Sequence, residues 1–268
     1  MLRNRNLPSP PLKRLLLLVA LLFTSNACAQ FEGCERHVEV GIPGNDGTPL
    51  CRLGYALAHN SDTKTPYWVA EYLPRSRAMA QGERSNRFKA DPDLPRGERA
   101  ETSDYAKSGF DQGHMAPSAD MNWSEEANIQ SFYLSNMAPQ VGIGMNRGIW
   151  KELEADARLW AIRRGKVYIF TGPIYANERI RRIGKNKVGV PTHFYKIVYD
   201  PDEEEAIAFI MPNQKLQTKD TPKFIVSVRE VEDQTGLRFF MALDASTRRK
   251  LRDMVPEEPW ATSVRQER

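Results

Sequence analysis

Two apolar runs, THFYKIVYD at residues 192–200 and AIAFIMP at 206–212, stand on either side of the acidic stretch PDEEE. Both are rich in β-branched and aromatic residues and both have strand length. A linker this short joins antiparallel neighbours, so the pair predicts a hairpin. KVYIFTG (166–172) and YWVAEYL (67–73) predict two further strands. SEEANIQSFYLSN reads as a short helix, with Ser124 as its N-cap and Glu125 and Glu126 in the first turn. In MNRGIWKELEADARLWAIRRG a longer helix is indicated by Ile149, Trp150, Leu153, Ala157 and Trp160 at helical spacing, with Gly165 as the stop. FIVSVREVEDQTGLRF predicts a strand or short helix leading to a last helix near 246–254. The polar, Pro/Gly-broken segment 74–99 reads as a surface loop, GIPGNDGTP (41–49) as a turn-rich loop and the tail after Pro256 as loose. No internal repeat divides the chain. The expectation is one α+β domain over residues 30–268, core about 50–255, with a mixed, mainly antiparallel sheet flanked by helices.

Candidate chemistry centres on SGFDQGHMAPSADM, residues 108–121, which holds one of only four histidines. An imidazole of near-neutral pKa suits proton abstraction from water, and the preceding Asp-Gln-Gly reads as a turn aiming His114 at a cleft. Asn136 sits in LSNMAPQ, while Asn146, Glu154 and Arg158 fall along the longer predicted helix. At about 100° per residue, Glu154 lies roughly 80° and Arg158 roughly 120° around from Asn146, on one broad face. Glu154 and Arg158 are also an i, i+4 pair, whose plain reading is a stabilising ion pair on an exposed helix. A base, an amide oxygen, a carboxylate and a guanidinium together make phosphodiester hydrolysis chemically coherent.

These residues resemble those of the DNA/RNA non-specific endonucleases, the ββα-metal nucleases of Serratia nuclease and endonuclease G type. The family signature is Asp-Arg-Gly-His, an apolar or Gln residue, three free positions, then Ala or Gly. Here it stands as Asp111-Gln112-Gly113-His114-Met115 with Ala119, followed in order by LSNMAPQ, MNRGIWKELE, TGPIY, VPTHFYK and AFIMPN. The resemblance covers roughly residues 67–243. It implies a ββα-metal finger, with His114 as general base and Asn146 as the direct protein ligand of a catalytic Mg²⁺, for which Mn²⁺ could substitute. It also implies that Glu154 orients water around the ion, that Asn136 helps orient the site, and that Arg158, with Arg87 in NRFKADP, neutralises charge on the phosphate. The ion would support the leaving 3′-oxygen, giving 5′-phosphorylated ends. DNA and RNA are the expected partners, contacted through the backbone. His193 reads as structural. Gln112 departs from the signature Arg, removing a permanent cation near the base. A binding protein of the same fold weakened by Gln112 is the alternative, and a hydrolase of another phosphodiester is a third reading.

Lys13 and Arg14 precede the apolar run 15–23, and Ala27-Cys28-Ala29 follows. That pattern predicts a signal peptide, residues 1–29, cleaved after Ala29, and export to the periplasm or medium; a lipoprotein acylated at Cys28 is the lesser reading. The run is too short for a stable membrane span. Subtracting the leader's four cations, Arg3, Arg5, Lys13 and Arg14, takes the formal +4 to zero, so net charge identifies no partner. Locally, residues 158–187 carry nine Lys or Arg against one acid, Glu178, a stretch able to hold a polyanion or simply a solvated face. Cys34 and Cys51 remain outside the leader and predict a disulfide that pins the N-terminus. No C-x-x-C or Cys/His cluster argues for zinc or an iron–sulfur centre.

Overall fold

The computed structural model describes residues 30–176 and 178–262, so the expected leader and its cleavage or acylation site lie outside the described residues. In chain order the strands are β1 (Thr48–Cys51), β2 (Ala56–Asn60), β3 (Thr65–Pro74), β4 (Asp111–His114), β5 (Met137–Gln140), β6 (Lys166–Ile174), β7 (Arg182–Ile183), β8 (Val188–Gly189), β9 (His193–Asp200), β10 (Glu205–Pro212) and β11 (Ile225–Val226). Seven of them form one antiparallel sheet in the order β1-β2-β3-β6-β9-β10-β11. β4 pairs with β5 and β7 with β8. The two apolar runs pair as their sequence predicts, from Glu205 opposite Asp200 to Pro212 opposite His193.

These strands show little polar alternation because both sheet faces are covered. Along β6, Val167 and Ile169 enter one apolar cluster and Tyr168 and Phe170 the other; β9 divides Phe194 and Val198 from Tyr195 and Ile197 in the same way. The principal helices are α1 (Glu125–Ser131), α2 (Trp150–Arg164), α3 (Val228–Thr235) and α4 (Ala245–Asp253). Ser124 Oγ accepts from Ala127 N at 3.3 Å, which makes it the N-cap of α1. α2 lays Trp150, Leu153, Ala157 and Trp160 on the first face and ends at Gly165, whose φ of 88° suits glycine. α3, α4 and the N-terminal Phe31 and Val40 cover the second face. A disulfide joins Cys34 to Cys51 at the edge strand β1 and ties that N-terminal segment to the sheet.

Four local expectations are corrected. The longer helix begins at Trp150 rather than near Met145, because Ile143, Gly144, Arg147 and Gly148 have non-helical torsions. Residues 111–114 form a strand, not a turn. The segment 74–99 is anchored through Asp91, whose fully buried carboxylate takes both oxygens to Arg52 Nη2 at 2.6 and 2.7 Å. The tail after Pro256 packs down: Trp160 Nε1 donates to the Trp260 carbonyl at 2.8 Å, and the Arg164 guanidinium lies 3.9 Å from the Trp260 ring centroid.

Candidate active site

Along the chain β4 and its partner β5 are separated by α1, and β4, the turn before α2 and α2 itself line a cavity of about 580 Å³. His114 enters from the end of β4, Asn146 from the irregular turn before α2, and Glu154 and Arg158 from α2 itself. Four residue types singled out from sequence therefore share one pocket, although Asn146 does so from a turn and not from the helix face expected of it.

Gly113 is required by proximity. A Cβ there would stand 1.9 Å from Oε1 and 2.5 Å from Cγ of the buried Gln140 side chain on the paired strand, so that side chain would have to be displaced. That close pairing seats the next residue. His114 is 8% exposed, with its ring edge-on to Phe132 at 5.0 Å and tilted against Phe88 at 5.7 Å. Burial, aided by the nearby charge of Arg84, lowers its pKa from 6.5 to about 3. The imidazole is neutral across the neutral pH range, and its Nε2 has no hydrogen-bond partner among the described residues.

Asn146 Nδ2 donates to Asp111 Oδ2 at 2.9 Å. A carboxylate can only accept, so this bond fixes which way the amide faces and leaves the carboxamide oxygen for another partner. Arg147 Nε also reaches Asp111, at 3.1 Å. Glu154 has its pKa raised to about 7, foremost by burial, with Asp120 adding to the rise and Lys196 and Arg158 opposing it. The carboxyl is thus short of positive charge, a deficit that a divalent cation beside it would relieve. Among the described residues no group of three His, Cys, Asp or Glu is arranged to hold a metal. One amide oxygen and one carboxylate fit a hard, well-hydrated ion that keeps most of its waters better than they fit zinc.

Arg158 is held by Asp120, with Nη1 to Oδ1 at 2.7 Å and the carboxylate 1% exposed. Below them, two ionisable side chains project from the sheet: Glu71, with both carboxyl oxygens unpartnered among the described residues, and Lys196, whose Nζ donates to Thr171 Oγ1 at 2.8 Å. Burial raises the pKa of Glu71 well above its usual value and lowers that of Lys196. Sequence reading passed over both. Their signal was a charged residue at an inward-facing position of an otherwise apolar strand.

Two expected site residues stand elsewhere. Asn136 is fully buried and does not line the cavity. Its Oδ1 accepts from Ala116 N and its Nδ2 donates to the carbonyls of Ala116 and Ser131, each at 2.9 Å, so it fastens the turn that follows His114. Arg87 lines a separate depression with Asn122 and Glu125. The cavity instead receives Arg84, which donates to Ser118 Oγ and sits 5.0 Å from the Phe132 ring centroid. Arg147 and Lys151 add further cations to the lining, and Gln112 lies among them. His193 opens β9 and is outside the cavity.

The family model for DNA/RNA non-specific endonucleases matches residues 35–246. This chain belongs to that family. It is 39% identical over 230 residues to Nuclease C1 of Cunninghamella echinulata var. echinulata, covering 80% of this chain and 90% of the relative. It is 37% identical over 230 residues to the mitochondrial endonuclease G of Caenorhabditis elegans, covering 79% and 75%. Among solved structures it resembles a chain of the EndoG/EndoGI complex, a crystal structure addressing the mechanism of EndoG inhibition, with a TM-score of 0.75, 33% identity and coverage of 81% of this chain and 93% of that one. The mixed α+β architecture is accordingly that of a ββα-metal nuclease.

The relatives also correct the expected location. The nucleases of C. elegans, Saccharomyces cerevisiae, Danio rerio and Schizosaccharomyces pombe are mitochondrial by name, which overturns a periplasmic or secreted assignment. A basic, acid-free N-terminus is a property shared by export signals and organelle-targeting segments, so it could not separate the two.

Proposed function

We propose that this protein is a Mg²⁺-dependent endonuclease that hydrolyses phosphodiester bonds of DNA and RNA, with Mn²⁺ able to replace Mg²⁺. The observation that carries this reading is the convergence of His114 and Asn146 on one cavity with Glu154 and Arg158. Bound there, the ion would polarise the phosphoryl group and support the departing oxygen. Asn146, through the oxygen that Asp111 leaves turned away, and Glu154 are the residues that would hold it. His114 takes the proton from the attacking water; burial keeps it unprotonated at neutral pH but also makes it a weaker base than the near-neutral imidazole expected from the sequence. Arg158, fixed by its buried bond to Asp120, points a guanidinium toward charge building on the phosphate. Arg84 and Arg147 line the same cavity and supply cations where the signature arginine is replaced by Gln112. Phe88 and Phe132 wall the imidazole in and keep it positioned. None of these contacts requires a particular base, consistent with recognition through the backbone.

A plasmid-nicking assay tests the proposal. Nicking should require Mg²⁺ or Mn²⁺ and fall on the order of 100-fold or more in His114→Ala with the fold intact. Tight, metal-independent DNA binding without cleavage by the unaltered protein would instead support the weakened binding protein.

A further inference from the structure

A second cavity, of about 240 Å³, adjoins the catalytic one, and Phe110 lines both. Its wall carries Arg179 and Arg181, and the Arg181 guanidinium lies 4.9 Å from the Phe110 ring centroid. Both arginines are exposed, and among the described residues neither has a carboxylate within ion-pair distance. The contrast with the rest of the basic stretch is informative. Arg158 is neutralised by Asp120, Arg164 by Asp200 and Glu205, Lys166 by Asp202 and Arg182 by Asp62. Four of the nine cations of the basic segment are thus paired with carboxylates, and of the other five Arg179 and Arg181 stand together on the wall of this cavity.

The floor of this cavity is rigid. Asn213 Oδ1 accepts from Val141 N at 2.8 Å, and its Nδ2 donates to the carbonyls of Pro139 and Pro191 at 3.0 Å. Tyr175 is held by a 2.8 Å bond between its hydroxyl and Thr65 Oγ1. A fixed, partly apolar hollow with a guanidinium stacked on an aromatic ring offers a planar face to a nucleobase and two cations to the phosphate beside it. Its size suits one nucleoside.

Resting on the nuclease reading, we propose that this second cavity is a subsite for a polynucleotide strand, holding a nucleotide that flanks the scissile phosphate. Arg181 and Phe110 form the stacking face, Arg179 meets the adjoining phosphate, and Phe110 is the partition the strand crosses between the two cavities.

The test compares an eight-nucleotide single strand with bis(p-nitrophenyl) phosphate, a phosphodiester too small to fill both cavities, using Arg181→Gln and Arg179→Gln, both surface changes. The ratio of kcat/KM on the oligonucleotide to that on the small diester should fall about tenfold in Arg181→Gln. Each variant should also lower the salt slope of oligonucleotide binding, read by fluorescence anisotropy in EDTA, by about one. An unchanged ratio with an unchanged slope, or an equal loss on both substrates, would overturn the subsite while leaving the nuclease reading in place. If the unaltered protein cleaves neither substrate, the nuclease reading fails, and the anisotropy series still decides whether these arginines hold a strand.

Discussion

Asp111 does two jobs at the residue scale. It turns the Asn146 amide so that the oxygen is free, and it holds Arg147 at the edge of the cavity. Arg147 is 63% exposed along its side chain, so its pair with Asp111 contributes little to stability and its value lies in where it places a cation. Arg147→Gln should raise KM for DNA and reduce the salt slope of binding by about one. Adding Gln112→Arg to that variant should restore both, because positions 112 and 147 line the same pocket. A double variant no better than Arg147→Gln alone would show that a cation at 112 cannot take this part. That His114, Asn146, Glu154 and Arg158 line one cavity was legible from the sequence through their motifs, but that Arg84 joins them there was not. Arg84 and Arg87 lie three positions apart in one irregular segment, and only the path of the backbone decides which faces His114.

At the scale of elements, the site depends on how the segment between β3 and β4 is fastened. Asp91 makes a buried pair with Arg52 and accepts from Ser135 Oγ, while Lys89 bridges to Tyr133. These bonds hold the segment that carries Arg84 and Phe88 into the catalytic cavity. Asp91→Ala removes the buried partner of Arg52, whose side chain is 7% exposed, and leaves it only the exposed carboxylate of Asp93 at 2.8 Å, so it should cost about 3 kcal/mol in denaturant unfolding. The contact between β4 and β5 is equally tight at one point. Gly113→Ala should lower stability and activity together, since a methyl group there displaces the fully buried Gln140 side chain. An intact midpoint of unfolding in Gly113→Ala would show that the Gln140 side chain can move aside. The segment between β3 and β4 reads as loop in sequence because Pro and Gly interrupt it, whereas its order comes from partners far away in the chain. Helix α2 was legible in its apolar spacing, but its start was not: nothing in the pattern of MNRG shows that Gly148 adopts φ −138° and ψ −118°.

For the whole molecule, acid sensitivity follows from buried histidines. His37 Nδ1 accepts from the Tyr72 backbone N–H at 3.0 Å, and burial lowers its pKa from 6.5 to about 4. The unfolded chain therefore binds this proton first. Full stability from His37 is present above pH 6.5, and about 3 kcal/mol is lost as pH falls to 4. His37→Gln should flatten the fall in unfolding free energy over that window; a slope unchanged by the substitution would assign the acid sensitivity to other groups. By itself the sequence determined the strands, the capped helix α1, the two cysteines that pair and the types of group needed for phosphodiester chemistry. These follow from local propensity, from spacing and from a short list of residues able to do such chemistry. Tertiary structure alone decided that Asn146 reaches the cavity from a kinked turn, that Asn136 fastens the chain behind His114, and that Glu71 and Lys196 lie buried beneath Glu154. The reason is physical: burial, the orientation of an amide and the balance of nearby charges are set by distances between segments that the order of residues along a chain does not contain.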